Sequence, residues 1–366
     1  MTSIMDSLTD YFAFLGISYE ILFIALVAVP ALTFFLVMSV NALLAVYFER
    51  KISAFMQDRL GPMEVGIFGF KGGKRFWGGI GQTLADAIKL LAKEDIVPDD
   101  ADRKLMVMAP FIIFIAAFVT LIGVPFSDGL VVSDFNIGIF YIIAMSSIGV
   151  IGIILAGWSS NNKWSLYGSM RSAAQMVSYE IPLALSLILV VIVAGSLEVS
   201  EIVRWQADNR WFIIHSPFTV VAFFIYFISG VAETNRTPFD IPEAESELVA
   251  GWMTEYSGFK WALFFLSEYA NMLIISIVAA IVFLGGWQSP MQIINIFPDS
   301  WLILDGFYIG IFWLLLKAAA FIFVIMWFRW TFPRLRVDQL MNICWKYFIP
   351  FSLVNLFLVS LWELIF

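Results

Sequence analysis

Two residue types that carry most redox and metal chemistry are almost missing from this chain: it has one cysteine, Cys344, and one histidine, His215, in 366 residues. A single thiol forms no disulfide framework and cannot ligate an iron–sulfur cluster. A single imidazole excludes a haem held by two histidines from facing helices of one copy. A phosphate-binding loop is missing too. The only Gly-Lys step, Gly73-Lys74, has Phe68 where the first glycine belongs and Arg75 where Ser or Thr belongs. Any redox or nucleotide chemistry must come from partners or a diffusible substrate, so no cofactor or metal is expected on this chain. Charge is also scarce. Only 14% of residues are charged and 61% are hydrophobic, with a mean hydropathy of +0.89, against about 25% charged in a soluble domain. Water offers no way to hide so much apolar surface, and lipid removes the need. The net charge of −8 gives no reason to expect a nucleic-acid partner.

What is present is a series of long apolar runs. They predict an all-α polytopic membrane protein with about eight spans, near 21–48, 105–125, 137–158, 181–199, 212–232, 261–283, 304–330 and 343–361. Each is long enough to cross about 30 Å of hydrocarbon. The start lacks a basic region and a small-residue cleavage site, so no removable signal peptide is expected. Of the 21 Lys and Arg, 18 fall in the odd-numbered connections or beside them, from Arg50 to Lys104 and at Lys163, Arg171, Arg236, Lys260, Arg329, Arg334, Arg336 and Lys346. Arg204 and Arg210 lie in an even connection, and Lys317 lies inside a span. This bias predicts cytoplasmic odd loops and both termini outside. The whole chain, 1–366, reads as a single transmembrane domain, with a long cytoplasmic loop at 49–104 and an acidic one at 233–260.

The first loop carries two amphipathic segments. Around 50–60, Phe48, Ile52, Phe55 and Met56 share a face opposite Ser53, Gln57 and Asp58. Around 79–93, Ile80, Leu84, Ala87, Ile88 and Leu91 form a stripe opposite Gln82, Asp86, Lys89 and Lys93. They either lie on the lipid surface or pave a cavity at it. The acidic loop gathers Glu233, Asp240, Glu243, Glu245 and Glu247, with Glu255 beyond. On a helix after Pro242, Glu243 and Glu247 would stack at i and i+4 and relieve their repulsion by sharing protons. A solvated acidic loop is the plainer alternative. Glu180, Glu233, Glu268 and Lys317 fall within spans or at their ends. Charge at the bilayer centre costs about 2.5–3.5 kcal/mol on insertion scales, so these side chains should face protein or water. Proton relay, snorkelling and a structural ion pair all satisfy that requirement.

Several of these stretches resemble one family. They are Glu49-Arg50-Lys51, the run 57–62 (QDRLGP), 85–94 (ADAIKLLAKE), 156–163 (AGWSSNNK), 171–180 (RSAAQMVSYE), 232–240 (AETNRTPFD) and 333–341 (PRLRVDQLM). In this order they resemble the quinone-chamber membrane subunit of proton-pumping NADH:quinone oxidoreductase, respiratory complex I, which is lettered H in bacteria and numbered 1 in mitochondria. The resemblance implies a chain, not catalytic alone, that forms the membrane half of a quinone channel. Above it would sit peripheral-arm quinone-site subunits whose complex holds flavin and iron–sulfur clusters; beside it, small membrane subunits and lipid. Quinone would be the substrate.

Carried over by motif, the proton path would comprise Glu180, Glu233, Glu243, Glu245, Glu247, Glu255 and Asp86, with Lys317 added from its place inside a span. The quinone channel would comprise Glu49, Arg50, Arg59, Phe265, Glu268 and Arg236. A bacterial plasma membrane is the expected location. The chain departs from the pattern after Pro62. Many relatives continue Asn-Arg-Val-Gly-Pro, whereas here Met63-Glu64-Val65-Gly66-Ile67 follows, with an insertion over 68–81. Two other classes fit parts of the pattern. A cation/proton antiporter explains the buried charges but usually shows internal repeats. The membrane subunit of a hydrogenase or another non-NADH oxidoreductase is the other; the complete 232–240 motif with its trailing acids favours the quinone enzyme.

Overall fold

The computed structural model describes residues 19–66, 78–241, 248–290 and 307–365. The chain is built from helices α1 (Tyr19–Met56), α2 (Gly81–Ala92), α3 (Arg103–Thr120), α4 (Gly138–Ser159), α5 (Lys163–Ala194), α6 (Val199–Asp208), α7 (Phe212–His215), α8 (Pro217–Glu233), α9 (Gly258–Phe283), α10 (Phe307–Thr331) and α11 (Val337–Ile365, with one π turn at Ile343–Phe348). Among the described residues, seven helices are long and apolar enough to span a membrane, and α8, at 17 residues, is a shorter apolar one. The all-α polytopic expectation therefore holds.

Two expected spans have different limits. The fourth begins 18 residues before Ile181, at Lys163, because its first half is too polar to read as membrane helix. Ser165, Ser169, Ser172, Gln175 and Ser178 are nonetheless all buried. Small hydroxyl side chains let helices approach closely and hydrogen-bond internally, so the serine face of this half packs against protein, while Trp164, Tyr167, Met170 and Val177 on the rest of it are exposed. At Gly157 of α4, an added Cβ would lie 2.0 Å from the Ser169 hydroxyl oxygen. The fifth span is broken at Ser216-Pro217. Proline suits a first helical position but not a helix interior, and Ser216 caps α8 in a reciprocal pair with Thr219.

The first amphipathic segment is not a separate helix: up to Met56 it continues α1. Phe48 and Ile52 pack half-buried against the core and Gln57 and Asp58 are exposed, as expected. Ser53, however, is buried and Phe55 and Met56 are exposed, so the two faces do not hold to the end of the segment. The second segment is α2, whose stripe Leu84, Ile88 and Leu91 is exposed on the isolated chain.

The odd-numbered connections meet one another at one end of the bundle. Asp102 N–H donates to Ser159 O (2.9 Å), Asn162 Nδ2 to Glu255 Oε1 (2.6 Å), and Leu335 N–H to Pro238 O (3.1 Å). Lys260 pairs with Asp95 at 2.9 Å and Arg334 with Asp240 at 3.0 Å. The even connections meet at the other end through Arg204–Asp128, Ser200–Asp134 and His215–Glu363. The two loop sets separated by charge bias are thus two spatial ends. α9 is the axis of the bundle, with 78% of its most apolar window buried, against 22% for α1 and 17% for α11 at the rim.

Candidate functional site

At the end where the odd loops gather, α1, α9, α10 and the segment after α8 bring five polar side chains together. Glu49, near the end of α1, is 6% exposed. Its carboxylate accepts from Arg236 Nη1 at 3.1 Å to each oxygen, from the Tyr269 hydroxyl at 2.6 Å, and from Arg329. Arg236 also lies 3.9 Å from Glu268, with its guanidinium 4.5 Å from the Tyr269 ring centre. Burial works against the Arg236 cation, but Tyr269, Glu49 and Glu268 outweigh it and hold its pKa well above the ordinary value. Charge-assisted hydrogen bonds of this kind are what allow ions in so dry a place.

The cluster walls a cavity of about 250 Å³ lined by Arg236, Asp240, Trp261, Phe265, Glu268 and Arg329 among others. Along α9, Trp261 stacks on Phe265 (ring centres 5.1 Å apart), and Phe265 lies 4.8 Å from Tyr269. Spacing by four puts these three rings on one helix face. The 3-10 turn Gly251–Met253 closes another side. It can dock on α5 because Gly168 has no side chain; a Cβ there would lie 2.7 Å from Gly251 Cα.

The other expected site residues fall into separate groups. Arg50 pairs with Asp86 of α2 at 2.7 Å, and Lys89 approaches the same carboxylate at 3.8 Å. Arg50 and Arg59 line a second, more open cavity of about 550 Å³ with Ser53, Leu60, Gly61 and Pro62. Gly61, at φ +68°, makes the turn there that a side chain would strain. The 68–81 insertion lies mostly outside the described residues; at its described end Gly81 N–H donates to Val65 O, and the Tyr47 hydroxyl of α1 donates to Gly78 O.

Glu180 lies on α5 and Glu233 at the end of α8. Ser147 of α4 donates to Glu180. Glu255 is held by Asn162. Lys317 stands apart, at the opposite end of α9. Glu243, Glu245 and Glu247 lie outside the described residues. Among the described residues, no group of three or more His, Cys, Asp or Glu could hold a metal.

Sequence reasoning missed Tyr269, Ser147 beside Glu180, and the site role of Arg329, which it counted only in the charge bias. Tyr269 follows Glu268 and lies one turn after Phe265, a spacing that could have signalled it.

A family model described as NADH dehydrogenase matches residues 16–360. The chain is 52% identical over 321 residues to the H subunit of NADH-quinone oxidoreductase from Chlorobaculum tepidum, covering 87% of this chain and 86% of the relative. It is 49% identical to the corresponding H subunit of Chlorobium luteolum, over 98% of this chain and 92% of that one. With the H subunit of Bacillus thuringiensis the identity is 45%, over 97% and 96%. The chain belongs to the NADH dehydrogenase family.

Proposed function

We propose that this chain is the membrane subunit forming the quinone-binding channel of a proton-pumping NADH:quinone oxidoreductase, and that it links quinone reduction to proton translocation. The observation that carries the reading is the buried Glu49–Arg236–Arg329–Tyr269–Glu268 cluster on the wall of a cavity lined by aromatic rings. At about 250 Å³ the cavity is smaller than the roughly 300–1,000 Å³ of a typical ligand pocket. That suits a ring headgroup whose tail lies elsewhere.

Reducing a quinone to a quinol consumes two electrons and two protons. With one Cys and one His in the sequence, this chain cannot ligate an iron–sulfur cluster, and the family resemblance implies that the electrons come from flavin and iron–sulfur clusters of partner subunits. The residues of this chain do the rest. Phe265 and Trp261 give the ring an apolar seat, the Arg236 and Arg329 cations steady developing negative charge, and Glu268 and Tyr269 offer hydrogen bonds. Glu180 and Glu233, with Glu243, Glu245, Glu247, Glu255 and Asp86, form the acidic path that responds to the change of charge. Arg50 and Arg59 border the channel mouth. The positive-inside bias supports cytoplasmic odd loops and outer termini, and the bacterial sources of the similar H subunits support a bacterial plasma membrane.

The test is purification of the tagged chain from its native membrane in mild detergent, followed by an NADH:quinone reductase assay. Co-purifying flavoprotein and iron–sulfur subunits with inhibitor-sensitive NADH oxidation is the expected result. A chain that purifies alone, or partners that oxidise another donor, would overturn the reading.

A further inference from the structure

The buried cation of Lys317 is placed where a proton carrier would be poorly served. Its Nζ donates to three backbone carbonyls of the turn that ends α9: Leu284 O at 2.6 Å, Gly286 O at 2.8 Å and Gln288 O at 2.7 Å. An ammonium has three protons to donate and no acceptor site, so these bonds use all of them. The Nζ also lies 4.2 Å from the centre of the Trp211 ring, an attractive contact for a cation.

The cage is itself braced. Trp211 Nε1 donates to Gln288 Oε1 (2.9 Å), and Gln288 Nε2 donates to Val203 O of α6 (2.7 Å). Gln206 accepts from Gly285 N–H (2.9 Å) and donates to Ile281 O (2.9 Å). Gly285, at φ +70°, admits this packing; a Cβ there would lie 2.4 Å from Trp211 Nε1. Lys317 thus ties α10 to the C-terminal end of α9 and to the α6–α7 corner.

Arg329, 12 residues or about 18 Å further along α10, ties the same helix to Glu49, which also holds Tyr269 of α9. Two basic residues of α10 therefore peg α9 at two heights. Helices carry such constraints along their length because their axial rise is fixed, about 24 Å from Leu284 back to Glu268.

We propose that Lys317 is a positioning residue: a tethered cation, retained in its carbonyl cage, that sets the axial register of α9 and so the placement of Phe265, Glu268 and Tyr269 at the quinone cavity. This rests on the function proposed above.

The experiment uses the whole complex in native membranes. Lys317→Met keeps the apolar stem and removes the charge. A misplacement of about 1 Å can cost up to about a hundredfold, so quinone KM should rise about tenfold, with kcat falling less and protons pumped per electron unchanged. In Lys317→Ala, added propylammonium, which replaces the missing atoms, should restore the KM. Unchanged quinone kinetics would overturn the proposal. So would normal KM with lost pumping, which would make Lys317 a proton carrier. Should Lys317→Met not assemble, cells carrying Lys317→Ala are grown with propylammonium: recovered complex supports the tethered cation, and none overturns it. If the wild-type complex itself reduces no quinone, the proposed function fails. The thermal stability of Lys317→Ala with and without propylammonium still tests the cage.

Discussion

Replacing Glu49 by glutamine tests the centre of the site, and its cost can be reasoned from the contacts. The carboxylate balances Arg236 and Arg329 and accepts the Tyr269 hydroxyl. Glutamine keeps the volume but removes the charge, leaving Arg236, 5% exposed, with Glu268 at 3.9 Å. Breaking a buried ion pair from one side costs about 3–5 kcal/mol, because the remaining charge stays buried and uncompensated. Arg329 has a side chain 31% exposed and can turn toward water, which puts the expected loss at the lower end, about 3 kcal/mol. At 1.36 kcal/mol per factor of ten, that is a loss of about a hundredfold in the properly closed cluster. The assay is quinone reductase activity in membrane vesicles, normalised to the NADH-oxidising activity of the peripheral arm so that assembly is counted separately. A double-mutant cycle sharpens it. Glu49→Gln with Arg236→Met removes both charges and should be less damaging than the sum of the single changes, since a missing pair costs less than half of one. Additive losses, or Glu49→Gln with wild-type kinetics and thermal stability, would refute the reasoning.

Three further outcomes are expected. Glu233→Gln should lower protons pumped per electron in vesicles at least severalfold while quinone reduction falls less, because neither Glu233 of α8 nor Glu180 of α5 is among the residues lining the aromatic cavity. Gly168→Ala should cost about 1–3 kcal/mol, read as a lower thermal midpoint of the complex with weaker quinone binding, since it pushes the Gly251–Met253 turn off α5. Glu198, at the even-loop end, has its carboxyl raised above the ordinary value by burial, then by Asp134 and Glu201, with Arg204 opposing. A raised carboxyl contributes stability that is fully present below the unfolded pKa, about 4.3, and is lost as pH rises through the folded value. Glu198→Gln should remove that loss, flattening thermal stability against pH over the window just above 4.3.

The sequence by itself determined the membrane class, the sites of the spans and which loops share an end. Those follow from properties that add along the chain: apolar run length against the bilayer and the count of Lys and Arg per connection. It also pointed to most of the charged residues of the site, because a charge inside an apolar run must have a use or a partner. Which partner it has was decided only by the tertiary structure. Glu49 and Arg329 are 280 residues apart, and no local pattern says that α1 and α10 meet. The polar half of α5 read as a loop because hydropathy weighs side chains against water or lipid, and its serines face neither. Lys317 shows the same limit. Its three partners are backbone carbonyls, common to every residue, so only the fold could show that this cation closes the end of α9.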